Sequence, residues 1–88
     1  MAKRAPEDRP LNIQGLLGVG LDGRKGETYI TRGENFYLYG GSKKTHERMQ
    51  EIALRFNEKV DGRGKRLPEI NARELGEISE EMRDDLAQ

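Results

Sequence analysis

The chain has no cysteine, which removes disulfides, thiolate metal sites and cysteine catalysis from consideration. It has a single histidine, His46, and no closely spaced Asp/Asn series, so neither a zinc site nor an EF-hand loop is expected. No apolar run approaches the roughly 20 residues that a membrane-spanning helix needs. The opening segment MAKRAPEDRPLN lacks the apolar stretch of a secretory signal. These absences point to a soluble cytoplasmic protein with no metal and no other cofactor.

The chain also lacks net charge, with 16 basic and 16 acidic residues. The balance hides a division. Residues 1–66 hold 14 Lys/Arg and 9 Asp/Glu, while residues 67–88 hold 2 and 7. Such asymmetry marks either a basic binding face or an acidic tail that covers one, in its own chain or in a neighbour's. Only 88 residues are present, and only 33% of them are hydrophobic. A short chain buries a small share of its surface, so burial against a second molecule is a ready source of added stability.

What is present is patterned. Residues 1–12 contain Pro6 and Pro10 among mixed charges and read as a disordered arm. Residues 13–88 read as one small domain. Leu17, Val19 and Leu21 alternate with Leu16, Gly18 and Gly20, the period of a strand. DGRKGE reads as a turn, TYITR as a second strand, GEN as a turn and FYLY as a third strand. Phe36 and Leu38 share one face of that strand, Tyr37 and Tyr39 the other.

Two helices follow. Ser42 is the expected N-cap of the first, and Met49, Ile52, Ala53, Phe56 and Val60 form its apolar stripe. Gly62 is the expected left-handed residue at its end. The second helix spans about 71–87. Asn71 and Glu74 have capping-box spacing, and Ile70 and Leu75 occupy the staple positions. Glu74, Glu77, Glu81, Asp84 and Asp85 are assigned to its solvent side. The expected fold is therefore α+β, a three-stranded antiparallel β-meander followed by two α-helices (β-β-β-α-α). Its core is drawn from Leu17, Val19, Leu21, Ile30, Phe36, Leu38, Met49, Ile52, Phe56, Val60, Leu67, Ile70, Leu75, Ile78 and Met82.

GVGLDG, Gly18 to Gly23, carries the letters of a dinucleotide fingerprint. That motif needs a helix directly behind its glycines and an acidic residue about 20 positions on. Here a turn and a strand are expected behind it, and Lys43 and Lys44 occupy the later positions. The glycines are read as thinning a strand for a close approach.

Thr31 to Phe36 (TRGENF), Gly40 to Ser42 (GGS), Thr45 with His46, Met49 to Glu51 (MQE) and Phe56 to Glu58 (FNE) resemble the pattern of a small family of bacterial proteins. The resemblance covers roughly a third of the chain. It implies a bacterial source and carries no activity with it.

Four groups of residues qualify as candidate sites. Gly41, Ser42, Lys43, Lys44 and Thr45 lie at a helix N-terminus, where unpaired N–H groups and the helix dipole favour a phosphate or carboxylate. Tyr37, Tyr39, Lys44, Arg48, Arg55, Lys59, Arg63, Lys65 and Arg66 combine a basic ridge with stacking surface, as single-stranded nucleic acid or RNA requires. His46, Gln50 and Asn57 fall in one polar strip along the first helix. Leu75, Ile78, Met82 and Leu86 form a narrow seam suited to self-association.

A lone histidine without a nucleophile argues against catalysis. The leading expectation is a non-enzymatic interaction module that meets itself or another protein through the seam of the second helix. Nucleic-acid binding through the ridge is the first alternative, and anion binding at Gly41 to Thr45 the second.

Overall fold

The computed structural model describes residues 8–24 and 26–87. The chain has an α+β, βββαα layout: β1 (Leu16–Gly20), β2 (Ile30–Arg32), β3 (Phe36–Gly40), α1 (Lys43–Gly62), a 3₁₀ turn (Leu67–Glu69) and α2 (Ala72–Leu86). It divides into two compact units, residues 15–54 and residues 55–88 with 1–14. Helix α1 contributes its first part to one and the remainder to the other.

In the unit of residues 15–54, the sheet order is β1-β3-β2. β2 pairs antiparallel with β3, joined by a tight turn in which the Gly33 N–H donates to the Phe36 carbonyl at 2.9 Å. β1 pairs parallel with β3, Leu16 opposite Phe36 through Gly20 opposite Gly40. The sheet is thus mixed, and the expected antiparallel meander is corrected. The alternating strand directions were anticipated; the neighbours were not. β3 lies between β1 and β2, so the link from β1 to β2 must pass the end of β3. A hairpin turn cannot do this, and residues 21–24 and 26–29 lie in the crossing instead.

That crossing explains the glycines. A Cβ on Gly20 would lie 2.4 Å from the Gly41 Cα, and one on Gly18 would lie 2.8 Å from the Leu38 Cδ2. Side-chain-free positions let β1 approach the β3–α1 junction, where Gly40 and Gly41 take φ of +78° and +81°, a region that favours glycine. The chain beyond Gly23 enters the link and then β2, so no helix stands behind the fingerprint letters.

The phase of β1 is the second correction. Its inward face carries Leu16, Gly18 and Gly20, while Leu17, Val19 and Leu21 point outward and are exposed, as is Ile30 of β2. Four expected core residues therefore belong to the surface. The inward face of the sheet instead packs Leu38 and Gly18 near Met49 of α1. Ile52 sits at the margin of the α1 stripe and is exposed; Ala53, Phe56 and Val60 are buried.

In the second unit, Phe56, Val60, Leu67, Ile70, Ile78 and Met82 form the core, with Ile70 and Ile78 fully buried. α2 begins as its sequence requires. The Glu74 N–H donates to the Asn71 Oδ1 at 2.8 Å, and the Asn71 N–H donates to the Glu74 Oε1 at 3.1 Å. This reciprocal cap draws Glu74 out of the solvent, so it is buried rather than on the expected solvent side. At the end of α1 the left-handed residue is Gly64, φ +69°, and Gly62 remains helical.

Part of the expected disordered arm, residues 1–7, lies outside the described residues. Further along it, Pro10 bridges Asn71, the Leu11 N–H donates to the Ile70 carbonyl at 2.9 Å and the Asn12 N–H to the Pro68 carbonyl at 3.0 Å.

Candidate functional site

The N-terminus of α1, the candidate anion site, holds a carboxylate from its own chain. The Ser42 N–H donates to the Asp22 Oδ1 at 2.8 Å; the Ser42 and Thr45 hydroxyls donate to the Asp22 Oδ2 at 3.0 and 2.7 Å. The Thr45 N–H in turn donates to the Ser42 Oγ, the expected N-cap contact. The Thr45 hydroxyl, then the Ser42 N–H, hold the Asp22 carboxyl below its ordinary range. Ser42 and Thr45 thus form a carboxylate cradle already filled, with Lys43 and Lys44 exposed beside it and Gly41 buried just before it. Asp22 was missed because its partners lie 20 and 23 residues further along the chain.

His46 is buried on the inner side of the sheet. Its Nδ1 lies 2.9 Å from the Gly40 carbonyl and its Nε2 2.7 Å from the Thr31 Oγ1. A carbonyl only accepts, so Nδ1 carries a proton, and Nε2 shares a hydrogen bond with the Thr31 hydroxyl. The Gln50 side-chain amide donates to the same Thr31 oxygen at 2.9 Å. Tyr29 flanks the imidazole, ring centres 5.7 Å apart. Two members of the polar strip, His46 and Gln50, therefore meet through Thr31. Asn57 belongs to the other unit. Both ring nitrogens are occupied in holding β2, β3 and α1 together.

The basic ridge is divided between the two units. Lys44 and Arg48 lie in residues 15–54, with Arg48 3.6 Å from Glu51. In the other unit α2 answers the ridge with carboxylates. Lys59 lies 3.0 Å from Asp85, Arg63 2.9 Å from Glu77, and Lys65 2.8 Å from Glu74. Lys65, then the Asn71 N–H, hold the Glu74 carboxyl below its ordinary range against the opposing effect of burial. Arg55 is half-buried and Arg66 exposed. The charge division seen in the sequence thus closes on itself within residues 55–88, which leaves few of these cations for a phosphate backbone.

The seam of α2 is turned inward. Ile78 and Met82 are buried, and Leu75 and Leu86 are partly covered. The exposed apolar side chains lie elsewhere, on the outer face of the sheet. Paired residues share a face, and the ladders place two rows there: Leu17, Tyr37 and Arg32, then Val19, Tyr39 and Ile30. Leu17 is 74% exposed, Val19 53%, Ile30 57% and Tyr39 46%, and Leu21 just beyond β1 is 93% exposed. Arg32 is the one charged residue in the three strands, and its guanidinium lies 5.6 Å from the centre of the Tyr37 ring. Tyr37 and Tyr39 were anticipated as stacking surface; Leu17, Val19 and Ile30 were placed in the core and so missed as surface.

No helix among the described residues is long and apolar enough to cross a membrane, and no group of three or more His, Cys, Asp or Glu side chains among them is placed to hold a metal ion. Comparison with family models, with curated proteins and with solved structures returned no match to this chain. The resemblance carried by TRGENF, GGS, TH, MQE and FNE accordingly rests on those residues alone.

Proposed function

We propose that this protein is a non-enzymatic interaction module whose working surface is the outer face of the β1-β3-β2 sheet, taken up by a protein partner that offers a matching apolar surface. The supporting observation is the exposure of Leu17, Val19, Leu21, Ile30 and Tyr39 together. Single exposed apolar residues are ordinary; a contiguous group on one sheet face marks a contact surface. A charged ligand finds little to hold there, since Arg32 is already stacked on Tyr37.

The energetics set the character of the contact. These five residues leave the equivalent of about three whole side chains in water, and burying a large apolar side chain contributes about 1.5–3 kcal/mol. The gain is on the scale of the 4–15 kcal/mol that association loses in translational and rotational freedom. The contact is therefore reversible and concentration-dependent. Binding is favoured over catalysis because the groups with the most chemistry, His46 and Asp22, are engaged inside the chain.

The test separates a contact surface from a core. The double variant Leu17→Lys with Ile30→Lys, measured near 1 µM where weak complexes dissociate, keeps its circular dichroism and melting temperature. A large fall in melting temperature at that concentration would show that these side chains support the fold itself, and would end the proposal.

A further inference from the structure

Building on that reading, we infer that the partner is a second copy of this chain, packed sheet against sheet about a two-fold axis beside Tyr39. Charge favours this occupant. The strands of that face carry one charged residue, Arg32, and its guanidinium lies over Tyr37. A face with so little charge meets its own copy without strong like-charge repulsion, and offers no steering to a partner of strong charge.

Size agrees. A standard interface takes roughly 800 Å² from each partner, somewhat over half of it apolar. At about 100 Å² of apolar surface for each fully exposed large side chain, Leu17, Val19, Leu21, Ile30 and Tyr39 present on the order of 300–400 Å². That is most of the apolar share, on one side of a small protein, and a copy supplies the identical amount opposite.

The two rows locate the axis. Val19, Tyr39 and Ile30 stand side by side across all three strands and carry no charge. The neighbouring row ends in Arg32, whose burial at the centre would strand a cation without an anion. The uncharged row therefore takes the centre, and Arg32 remains at the rim over Tyr37. A closed two-fold contact uses the same patch twice, so assembly stops at the dimer.

The absence of cysteine gives a clean test, because an introduced thiol can only meet its counterpart in another molecule. Tyr39→Cys and Ile30→Cys are prepared separately, with Leu54→Cys on the exposed side of α1 as the control. Under mild oxidation at 100 µM, Tyr39→Cys is expected to link into a covalent dimer at least tenfold faster than the control. Light scattering on the unmodified chain is expected to rise from one chain mass to two between 1 and 500 µM, and Ile30→Lys to hold it at one. Equal linking rates for Tyr39→Cys and Leu54→Cys, or a monomer throughout that range, overturn the second copy. If that happens while the double lysine variant still melts unchanged at 1 µM, only the identity of the partner has failed. If the lysine variant melts far lower, the contact-surface reading has failed with it.

Discussion

The two units use their apolar residues in opposite ways. Residues 55–87 turn Phe56, Val60, Ile78 and Met82 inward and pair their charges with one another, the Lys59, Arg63 and Lys65 cations meeting carboxylates of α2. Residues 15–54 put glycine on the inward side of β1 and leave Leu17 and Val19 in water. Inward glycines allow backbone to pack on backbone, and that contact displaces the large side chains to the other face. One region satisfies itself; the other leaves apolar surface exposed, which we propose is held in reserve for a partner.

Substitutions break or sharpen this contrast. Ile78→Ala empties a fully buried position in the self-satisfied region, and chemical denaturation should show a loss of about 2–5 kcal/mol. Gly20→Ala forces a methyl against the Gly41 backbone, which cannot swing aside as a side chain would. Its expected loss is about 1–3 kcal/mol, read by the same measurement. Asn71→Ala removes the reciprocal cap of α2 and should lower stability by about 1 kcal/mol.

Asp85→Asn separates Lys59 from its nearer carboxylate, in a partly exposed pair of a kind that contributes about 0.2–1 kcal/mol. The effect should shrink as salt is raised. Ile30→Ala, in contrast with Ile78→Ala, should stay within about 0.5 kcal/mol in dilute solution. The pair of isoleucines thus measures the difference between reserve and core directly.

Acid tests both regions through one carboxylate each. Asp22 and Glu74 are held below their ordinary values of 3.8 and 4.5. A depressed carboxyl contributes stability that is complete above its unfolded value and is lost as pH falls through its folded value. Stability should therefore decline on acidification below about pH 4. Asp22→Asn should remove the acid-dependent shift of the Ser42 amide in NMR spectra while leaving the one at Asn71, which reports Glu74.

Much of the local structure was legible in the residues. The α1 stripe of Met49, Ala53, Phe56 and Val60, the cap of α2 at Asn71 and Glu74, and the shared face of Tyr37 and Tyr39 all depend on neighbours within a few positions. The site was less legible. Ser42 and Thr45 were seen as an anion cradle, yet the anion comes from Asp22, 20 residues earlier. The basic ridge was seen, yet its partners lie on a second helix. Alternation along β1 revealed a strand but not which side is inside. Apolar weight argued for Leu17 and Val19, and steric contact at Gly18 and Gly20 decided otherwise.

Sequence alone therefore determined the order of the elements of this protein, their periodicity and the cap of α2, because capping and periodicity act between residues adjacent along the chain. Only the tertiary structure decided that β3 lies between β1 and β2, which face of the sheet meets water, and which charges are already answered. Those outcomes depend on what arrives from distant positions: the Gly41 backbone against Gly20, the Asp22 carboxylate at Ser42, and the acids of α2 against Lys59 and Arg63.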